Sequence, residues 1–401
     1  MKVFVVNCGS SSIKYQLFDM NDESVVGKGI AEKIGLPMGI VSLKIEGTGE
    51  KVERELPLPN HEAALNTVLE LLTDKNIIRD KSEIGVIGHR LVHAGECYHS
   101  SVAITEDVIE KMTECNDLAP LHNPHNITGV RTAQKLFPKA FQGGCFDTAF
   151  HQTMPDYAYL YPIDYSWYEK YKVRRYGFHG TSHGYVAQLA ADHLKKPLDK
   201  LRVITAHLGN GSSIAAIQNG KSVDTSMGLT PLEGLMMGTR CGDIDPALVF
   251  FAARKGVSLD DFDKMLNKKS GLMGVGGISN DMRDNWKAIH EGNKRAGLAI
   301  KMFTYRLKKY IGAYAAAMGG VDAIVFTGGI GENDWEARQM ACEGLEYMGV
   351  EFDVPLNKTV RATLKEVSKP SSKVKVIVVP TNEELVIARE SYRLYNESKK
   401  K

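Results

Sequence analysis

The strongest constraint on the fold is a pattern that occurs twice. Near the start, Lys2-Val-Phe-Val-Val-Asn7 meets a small-residue turn, Cys8-Gly-Ser-Ser-Ser12, and then a second run, Ile13-Lys-Tyr-Gln-Leu-Phe-Asp19. In the second half, Val203-Ile-Thr-Ala-His-Leu208, Gly209-Asn-Gly-Ser-Ser213 and Ile214-Ala-Ala-Ile-Gln218 repeat it, followed by an Asn219-Gly220 turn and a run from Lys221 to Thr225. Short apolar runs bounded by Gly and Ser read as strands, and Asn-Gly is a strong hairpin signal. A second echo keeps the same order: Val86-Ile-Gly-His-Arg-Leu-Val-His-Ala-Gly-Glu96 matches Ile324-Val-Phe-Thr-Gly-Gly-Ile-Gly-Glu332, each a buried strand ending in a glycine-marked turn. Helical patterns lie between the strands, among them His61 to Leu72 and Asp334 to Met348, the latter capped at Asn333 or Asp334. A last strand, Val374 to Val379, runs into a helix ending near Tyr395. Alternating strands and helices in two matching halves predict a duplicated α/β fold, and two such halves facing each other make a cleft.

With 401 residues the chain is long for one ordinary domain. The expected division is 1–150, joined by the C-terminal helix at about 385–401, and 151–384. Lys and Arg number 50 against 48 Asp and Glu, and the basic residues are scattered, which leaves no electrostatic footprint for nucleic acid or a membrane surface. Six widely spaced cysteines form no Cys-x-x-Cys pair and suit a reducing cytoplasm. The apolar run Val3–Val6 is too short for the core of a secretion signal. Ile311 to Ile330 is broken by Gly319, Gly320 and Asp322, so it reads as a buried helix and strand rather than a membrane span.

Several turns suit phosphate. Glycine lets backbone N–H groups approach an anion and serine adds hydroxyl donors, which describes both Gly9–Ser12 and Gly209–Ser213. Lys14 follows the first turn, either to reach a phosphate or to face solvent. Gly328-Gly-Ile-Gly-Glu-Asn333 follows an apolar strand and precedes a helix, an anion or nucleotide platform at a helix N-terminus. It is not Gly-x-Gly-x-x-Gly, which disfavours a dehydrogenase, and no Walker-type loop occurs: the one Gly-Lys-Ser, Gly220 to Ser222, has Ala215 where the first glycine belongs. Arg90 and Arg240 sit beside glycine-containing turns, and a guanidinium fork suits a carboxylate or a phosphoryl group. Asp147 and His179 are isolated polar residues of the kind that more often cap or brace than catalyse. The pairs His89/His93, His122/His125 and His179/His183 lack the His-Glu-x-x-His form of a zinc site.

Taken together, Asn7–Lys14, His89–Glu96, Phe146–His151, Arg175–His183, Leu208–Ser213, Gly238–Asp243, Phe326–Asn333 and Pro380–Glu384 resemble the acetate kinase family along essentially the whole chain. The resemblance implies a two-lobed, actin-like (ribonuclease H-like) ATPase fold of the acetate and sugar kinase, heat-shock chaperone and actin superfamily, with the active site in the interlobe cleft. It implies reversible transfer of the γ-phosphoryl group of ATP to acetate, giving acetyl phosphate and ADP, in a cytoplasmic homodimer. By the same resemblance Asn7 and Glu383 hold Mg²⁺, for which Mn²⁺ can substitute. Lys14, Ser10 and Ser12, the stretch His207, Leu208, Gly209, Asn210 and Gly211, the stretch Asp281, Met282 and Arg283, and the stretch Ile330, Gly331, Glu332, Asn333 and Asp334 contact the nucleotide. Arg90 takes the substrate carboxylate, Asp147 is the catalytic aspartate, His179 and Arg240 stabilise the transition state, and Val92, Leu121, Phe178 and Pro231 form the methyl pocket. Cys8 and Cys241 stand where serine is frequent, and Cys241 is expected beside the site.

Chemistry refines one inherited role. Acetate is ionised at neutral pH, so its attacking oxygen has no proton to lose, and Asp147 is better cast as an organiser of metal or arginine than as a base. A propionate kinase is the nearest alternative, because apolar pockets discriminate homologues only weakly. An actin-like or chaperone-like ATPase without a small substrate would not need Arg90, Phe178-His179 or the methyl pocket.

Overall fold

The computed structural model describes residues 1–120 and 122–400, so that Leu121 of the expected methyl pocket lies outside the described residues. The chain divides into two compact units, Met1–Ala149 with the segment from Asn382 onward, and Phe150–Thr381.

The first unit carries β1 (Lys2–Cys8), β2 (Ser12–Asp19), β3 (Ser24–Glu32), β4 (Gly39–Ile45), β5 (Lys51–Leu56), β6 (Ile84–Leu91), β7 (Val102–Ala103) and β8 (Phe141–Phe146). They form one sheet in the order β5-β4-β3-β2-β1-β6-β8-β7. Strands β1 to β5 make an antiparallel meander, whereas β6 runs parallel to β1 and β8 parallel to β6. The second unit has β9 (Arg202–Leu208), β10 (Ser212–Gln218), β11 (Lys221–Thr225), β12 (Ala323–Thr327), β13 (Lys365–Glu366) and β14 (Lys375–Val378), in the order β11-β10-β9-β12-β14-β13. There β9, β10 and β11 are antiparallel, β12 is parallel to β9 and β14 parallel to β12. The series β3-β2-β1-β6-β8 and β11-β10-β9-β12-β14 therefore share one topology. Both sequence echoes fall on equivalent strands, the first on β1-β2 and β9-β10, the second on β6 and β12.

Strand periodicity explains why each sheet is covered on both faces. In β1, Phe4, Val6 and Cys8 join the core under helix His61–Asp74, while Val3 and Val5 join Ile387 and Ala388 of helix Glu383–Ser398. In the second unit, Ile204, Ala206, Leu208, Ile324 and Phe326 meet Ile300, Phe303 and Leu307 of helix Lys294–Ala317. Val203, Ala323 and Val325 face Val186, Ala187 and Ala190 of helix Gly180–His193 instead. Successive strand residues point to opposite faces, so continuous apolar runs demand a helix layer on each side.

Two expectations change. The helix expected from Asp334 to Met348 ends at Cys342, because Gly344 takes φ +80, and a short 3₁₀ turn covers Glu346–Met348. Residues 383 and 384, read with the second half, open the C-terminal helix, whose N-cap Asn382 accepts from the Leu385 N–H at 3.1 Å. Ser391 of that helix seats against Gly88 of β6 and Gly143 of β8, which draws its first turn, with Glu383, into the first unit. No helix among the described residues is long and apolar enough to cross a membrane.

Candidate active site

In the first unit, the ends of β1, β2, β6 and β8 and the start of the last helix bring ionic groups together. Asn7 and Lys14 are cross-strand partners at the mouth of the β1–β2 turn, where the Gly9 N–H donates to the Ser12 carbonyl at 2.8 Å. Ser10 is exposed and Ser12 half-buried on the same turn. Arg90, on the neighbouring strand, donates from Nε to Asp147 Oδ1 at 3.1 Å and from Nη2 to Oδ2 at 2.7 Å. Asp147 is buried just beyond β8, its own N–H held by the Leu91 carbonyl at 2.9 Å. Glu383 Oε2 stands 3.6 Å from Arg90 Nε. Asn7, Lys14, Arg90, Glu383 and Glu384 line a cavity of about 150 Å³.

Electrostatics follow from this crowding. The charges of Asp147 and Glu383 hold the Arg90 guanidinium more firmly protonated than an ordinary arginine. Burial, reinforced by Asp147 and Glu384 and opposed by Arg90, raises the Glu383 carboxyl above the usual carboxylate range. Three carboxylates against two cations leave room for another positive charge. The Asn7 amide oxygen and the Glu383 carboxylate are hard oxygen donors, few in number, which is what Mg²⁺ takes when it keeps water and phosphate ligands. Among the described residues, no group of three or more His, Cys, Asp or Glu is arranged to hold a metal alone.

In the second unit, the β9–β10 turn is the phosphate-shaped element. The His179 ring stacks on His207 with centroids 4.2 Å apart, and His179 Nδ1 is hydrogen-bonded to Ser213 Oγ at 2.8 Å. A β-carbon placed on Gly211 would stand 3.4 Å from Arg240 Nη1 and 3.7 Å from His179 Nε2, so both side chains converge on that turn. Arg240 donates from Nη1 to the Pro231 carbonyl at 3.3 Å. Among the described residues it has no carboxylate partner, and burial makes its charge costlier than that of a free arginine. A half-buried guanidinium lacking a counter-anion is suited to receive one.

A cavity of about 1000 Å³ adjoins this turn. Of the residues expected at a nucleotide, Gly209, Asn210, Asp281, Met282, Arg283, Ile330, Asn333 and Asp334 line it. His207, Leu208, Gly211, Gly331 and Glu332 do not, and Leu208 and Gly331 are buried. Glu332 Oε1 instead accepts from the N–H groups of Gly328 and Thr381, both at 3.0 Å, and so braces the turn from inside. Asp334 is likewise engaged, accepting from the Ala337 N–H at 2.9 Å and from Trp286 Nε1 at 2.7 Å. Gly328 takes φ +76, and a β-carbon there would lie 2.7 Å from the Leu208 carbonyl oxygen. Gly328→Ala is therefore expected to cost about 2 kcal/mol, checked by urea unfolding.

Val92 is half-buried after β6 in the first unit, whereas Phe178, buried, and Pro231, half-buried, belong to the second. Cys241 is half-buried beside Arg240, with burial raising its thiol pKa, which makes it a weak nucleophile at neutral pH. Sequence reasoning missed several residues. Buried Asn126 donates from Nδ2 to the Cys8 carbonyl at 3.0 Å and accepts from the Val92 N–H at 3.0 Å, tying the β1–β2 turn to the segment after Arg90. Trp286, Trp335 and Arg361 also line the large cavity. The Asn-Ile-Thr-Gly context of Asn126 carries no distinctive signal, but Met282-Arg-Asp-Asn-Trp286, a short run after Asp281, could have flagged the tryptophan.

Comparisons with known proteins identify the family. The Acetokinase family profile matches residues 2–389. An acetate kinase of Caldanaerobacter subterraneus is 54% identical over 398 residues, covering 98% of this chain and 99% of the relative. Among solved structures, the acetate kinase of Porphyromonas gingivalis superposes with a TM-score of 0.95 at 51% identity, covering 98% of this chain and 99% of that one. A propionate kinase from Francisella tularensis superposes with a TM-score of 0.91 at 41% identity, with the same coverage.

Proposed function

Because this chain belongs to the acetokinase family, we propose that it transfers the γ-phosphoryl group of ATP reversibly to acetate, giving acetyl phosphate and ADP in the presence of Mg²⁺. The observation that supports this most is the convergence of His179 and of Arg240, which has no carboxylate partner among the described residues, on the Gly209–Gly211 turn. A pair of cationic or donor side chains over a backbone turn suits the equatorial oxygens of a phosphoryl group in flight.

The roles follow from charge. Asp147 occupies Nε and Nη2 of Arg90 and fixes the fork, leaving Nη1 for the acetate carboxylate. The nucleophile is already an anion, so no residue removes a proton. Asn7 and Glu383 would hold the magnesium ion, with manganese as a substitute. When bound, that ion offsets charge on the terminal phosphates. Lys14 with Ser10 and Ser12 adds donors from the first turn, and the large cavity of the second unit takes the nucleoside. Arg240 and His179 bind the phosphoryl oxygens in a direct in-line transfer. The family resemblance assigns Val92, Phe178 and Pro231 to the methyl group of the substrate. A homodimer in the cytoplasm accords with the family resemblance, and six free cysteines suit a reducing compartment.

The test is hydroxylamine trapping of acyl phosphate formed from MgATP with acetate, propionate or butyrate. One extra methylene in an apolar pocket discriminates by about 10 to 200-fold, so propionate is expected to react within that range below acetate. A higher kcat/KM for propionate would favour the reading raised by the Francisella tularensis neighbour. No acyl phosphate with any short acid would overturn the proposal.

A further inference from the structure

Behind His179 lies a buried chain of hydrogen bonds that the reaction itself does not require. His179 Nδ1 meets Ser213 Oγ at 2.8 Å, Ser213 Oγ meets His183 Nε2 at 2.7 Å, and His183 Nδ1 meets Thr205 Oγ1 at 2.7 Å. Ser213, His183 and Thr205 have no solvent exposure. The backbone contributes as well, for His179 sits at φ 55, the left-handed region, as the residue before helix Gly180–His193. His183 is one turn along the same helix, which places both imidazoles on the β9–β10 side.

Three bonds need three protons, and with the fully buried Ser213 hydroxyl itself donating within the chain, two arrangements supply them. In one, His179 Nδ1–H donates to Ser213, Ser213 donates to His183 Nε2, and His183 Nδ1–H donates to Thr205. A neutral His179 then has a bare Nε2. In the other, Thr205 donates to His183 Nδ1, His183 Nε2–H donates to Ser213, and Ser213 donates to His179 Nδ1. A neutral His179 then carries its proton on Nε2, the atom beside Gly211. Burial holds His183 neutral, which restricts it to one ring proton and makes the two arrangements exclusive.

The surroundings of His179 select between them. Arg240 Nη1 reaches the same point beside Gly211, and the His207 ring stacks on His179 at 4.2 Å. His183 lies behind Ser213, with His151 at 5.6 Å from His183. A permanent cation at Arg240 opposes a second full charge on His179. An anionic phosphoryl oxygen nevertheless calls for a donor there. We propose that Thr205, His183 and Ser213 are positioning residues that keep His179 as a neutral imidazole with its proton on Nε2, so that it donates to the phosphoryl group without becoming an imidazolium. This rests on the kinase reading above, because it is the phosphoryl oxygen that selects the arrangement with the proton on Nε2.

The experiment compares the full-length protein with Ser213→Ala and Thr205→Val. Long-range ¹H–¹⁵N spectra of histidine-labelled protein with MgADP, acetate and aluminium fluoride are expected to show His179 and His183 both protonated at Nε2 above neutral pH. In the Ser213→Ala enzyme a neutral His179 can adopt either tautomer, whereas an imidazolium always has Nε2–H. Its kcat is therefore retained at low pH and lost as rising pH deprotonates that imidazolium. The loss is expected to reach at least about tenfold, with little change in either KM, while the unsubstituted enzyme shows no such limb. Thr205→Val is expected to give a smaller loss of the same sign and serves alone if Ser213→Ala does not fold. Nδ1-protonated rings in the unsubstituted protein, or a variant whose kcat falls equally at every pH or not at all, would overturn the proposal. Absence of acyl phosphate from the unsubstituted protein would overturn the kinase reading instead, and the ring spectra would still decide the relay.

Discussion

Arg240→Ala is expected to lower kcat by about a thousandfold while leaving the acetate KM nearly unchanged, a loss of about 4 kcal/mol of transition-state stabilisation. The size follows from where the side chain sits. Its guanidinium is anchored by the Pro231 carbonyl and beside Met237, has no carboxylate partner among the described residues, and reaches Gly211 beside His179 Nε2. Its charge is already partly desolvated, so an anion arriving there needs little reorganisation. Because charge on the equatorial oxygens is handled most strongly during transfer, the lost interaction appears in kcat. Arg90→Ala should behave differently. It removes the group proposed for the carboxylate and leaves buried Asp147 unpaired, so acetate KM rises most. Steady-state kinetics on both variants, with each substrate varied, decide the matter. A raised acetate KM for Arg240→Ala, with kcat falling chiefly in Arg90→Ala, would reverse the two roles.

Asp147→Asn is expected to lower kcat by about 10 to 100-fold without abolishing any limb of its pH profile. Both carboxylate oxygens accept from Arg90, through Nε at 3.1 Å and Nη2 at 2.7 Å. Asparagine retains one acceptor but turns an amide N–H₂ toward an arginine N–H. That exchanges a charge-assisted bond for a donor facing a donor, a cost of about 1.5–3 kcal/mol. A general base would leave a different signature. The unsubstituted enzyme would then show an acidic limb set by Asp147, and the asparagine variant would lose it. A profile that keeps every limb, even if one is displaced by loss of the charge beside Glu383, supports the organiser, and a vanished limb supports the base.

How far the sequence reached can be judged from particular residues. The β1–β2 and β9–β10 turns and the strand carrying Arg90 were legible because each is a local event of apolar run and small-residue turn, whereas Gly328–Asn333, read as a turn before a helix, is itself a short helix. Topology was legible through repetition, since two echoes in one order mapped onto equivalent strands of two sheets. Glu383 was harder to place. Its motif was readable, but its membership of the first unit depends on Ser391 fitting against Gly88 and Gly143, residues remote in sequence. Asn126 and the Thr205–His183–Ser213 relay were hidden for the same reason, because their meaning lies in partners that no periodicity reveals. The helix after Asp334 was read too long because its apolar spacing continues past Cys342, while the backbone turns at Gly344. Glu332 and Asp334 were located by motif, yet their carboxylates are taken up by backbone N–H groups and an indole, an internal use that residue type alone does not disclose.

The central claim is that a carboxylate oxygen attacks the γ-phosphorus of ATP. The most direct test supplies acetate labelled with ¹⁸O in both oxygens, together with MgATP and hydroxylamine, and examines the released phosphate by ³¹P NMR. Hydroxylamine attacks the acyl carbon, so the bridging oxygen leaves with phosphorus. One ¹⁸O per phosphate, in amounts equal to the hydroxamate formed, is the predicted result. Unlabelled phosphate, or phosphate released without hydroxamate, would contradict the account.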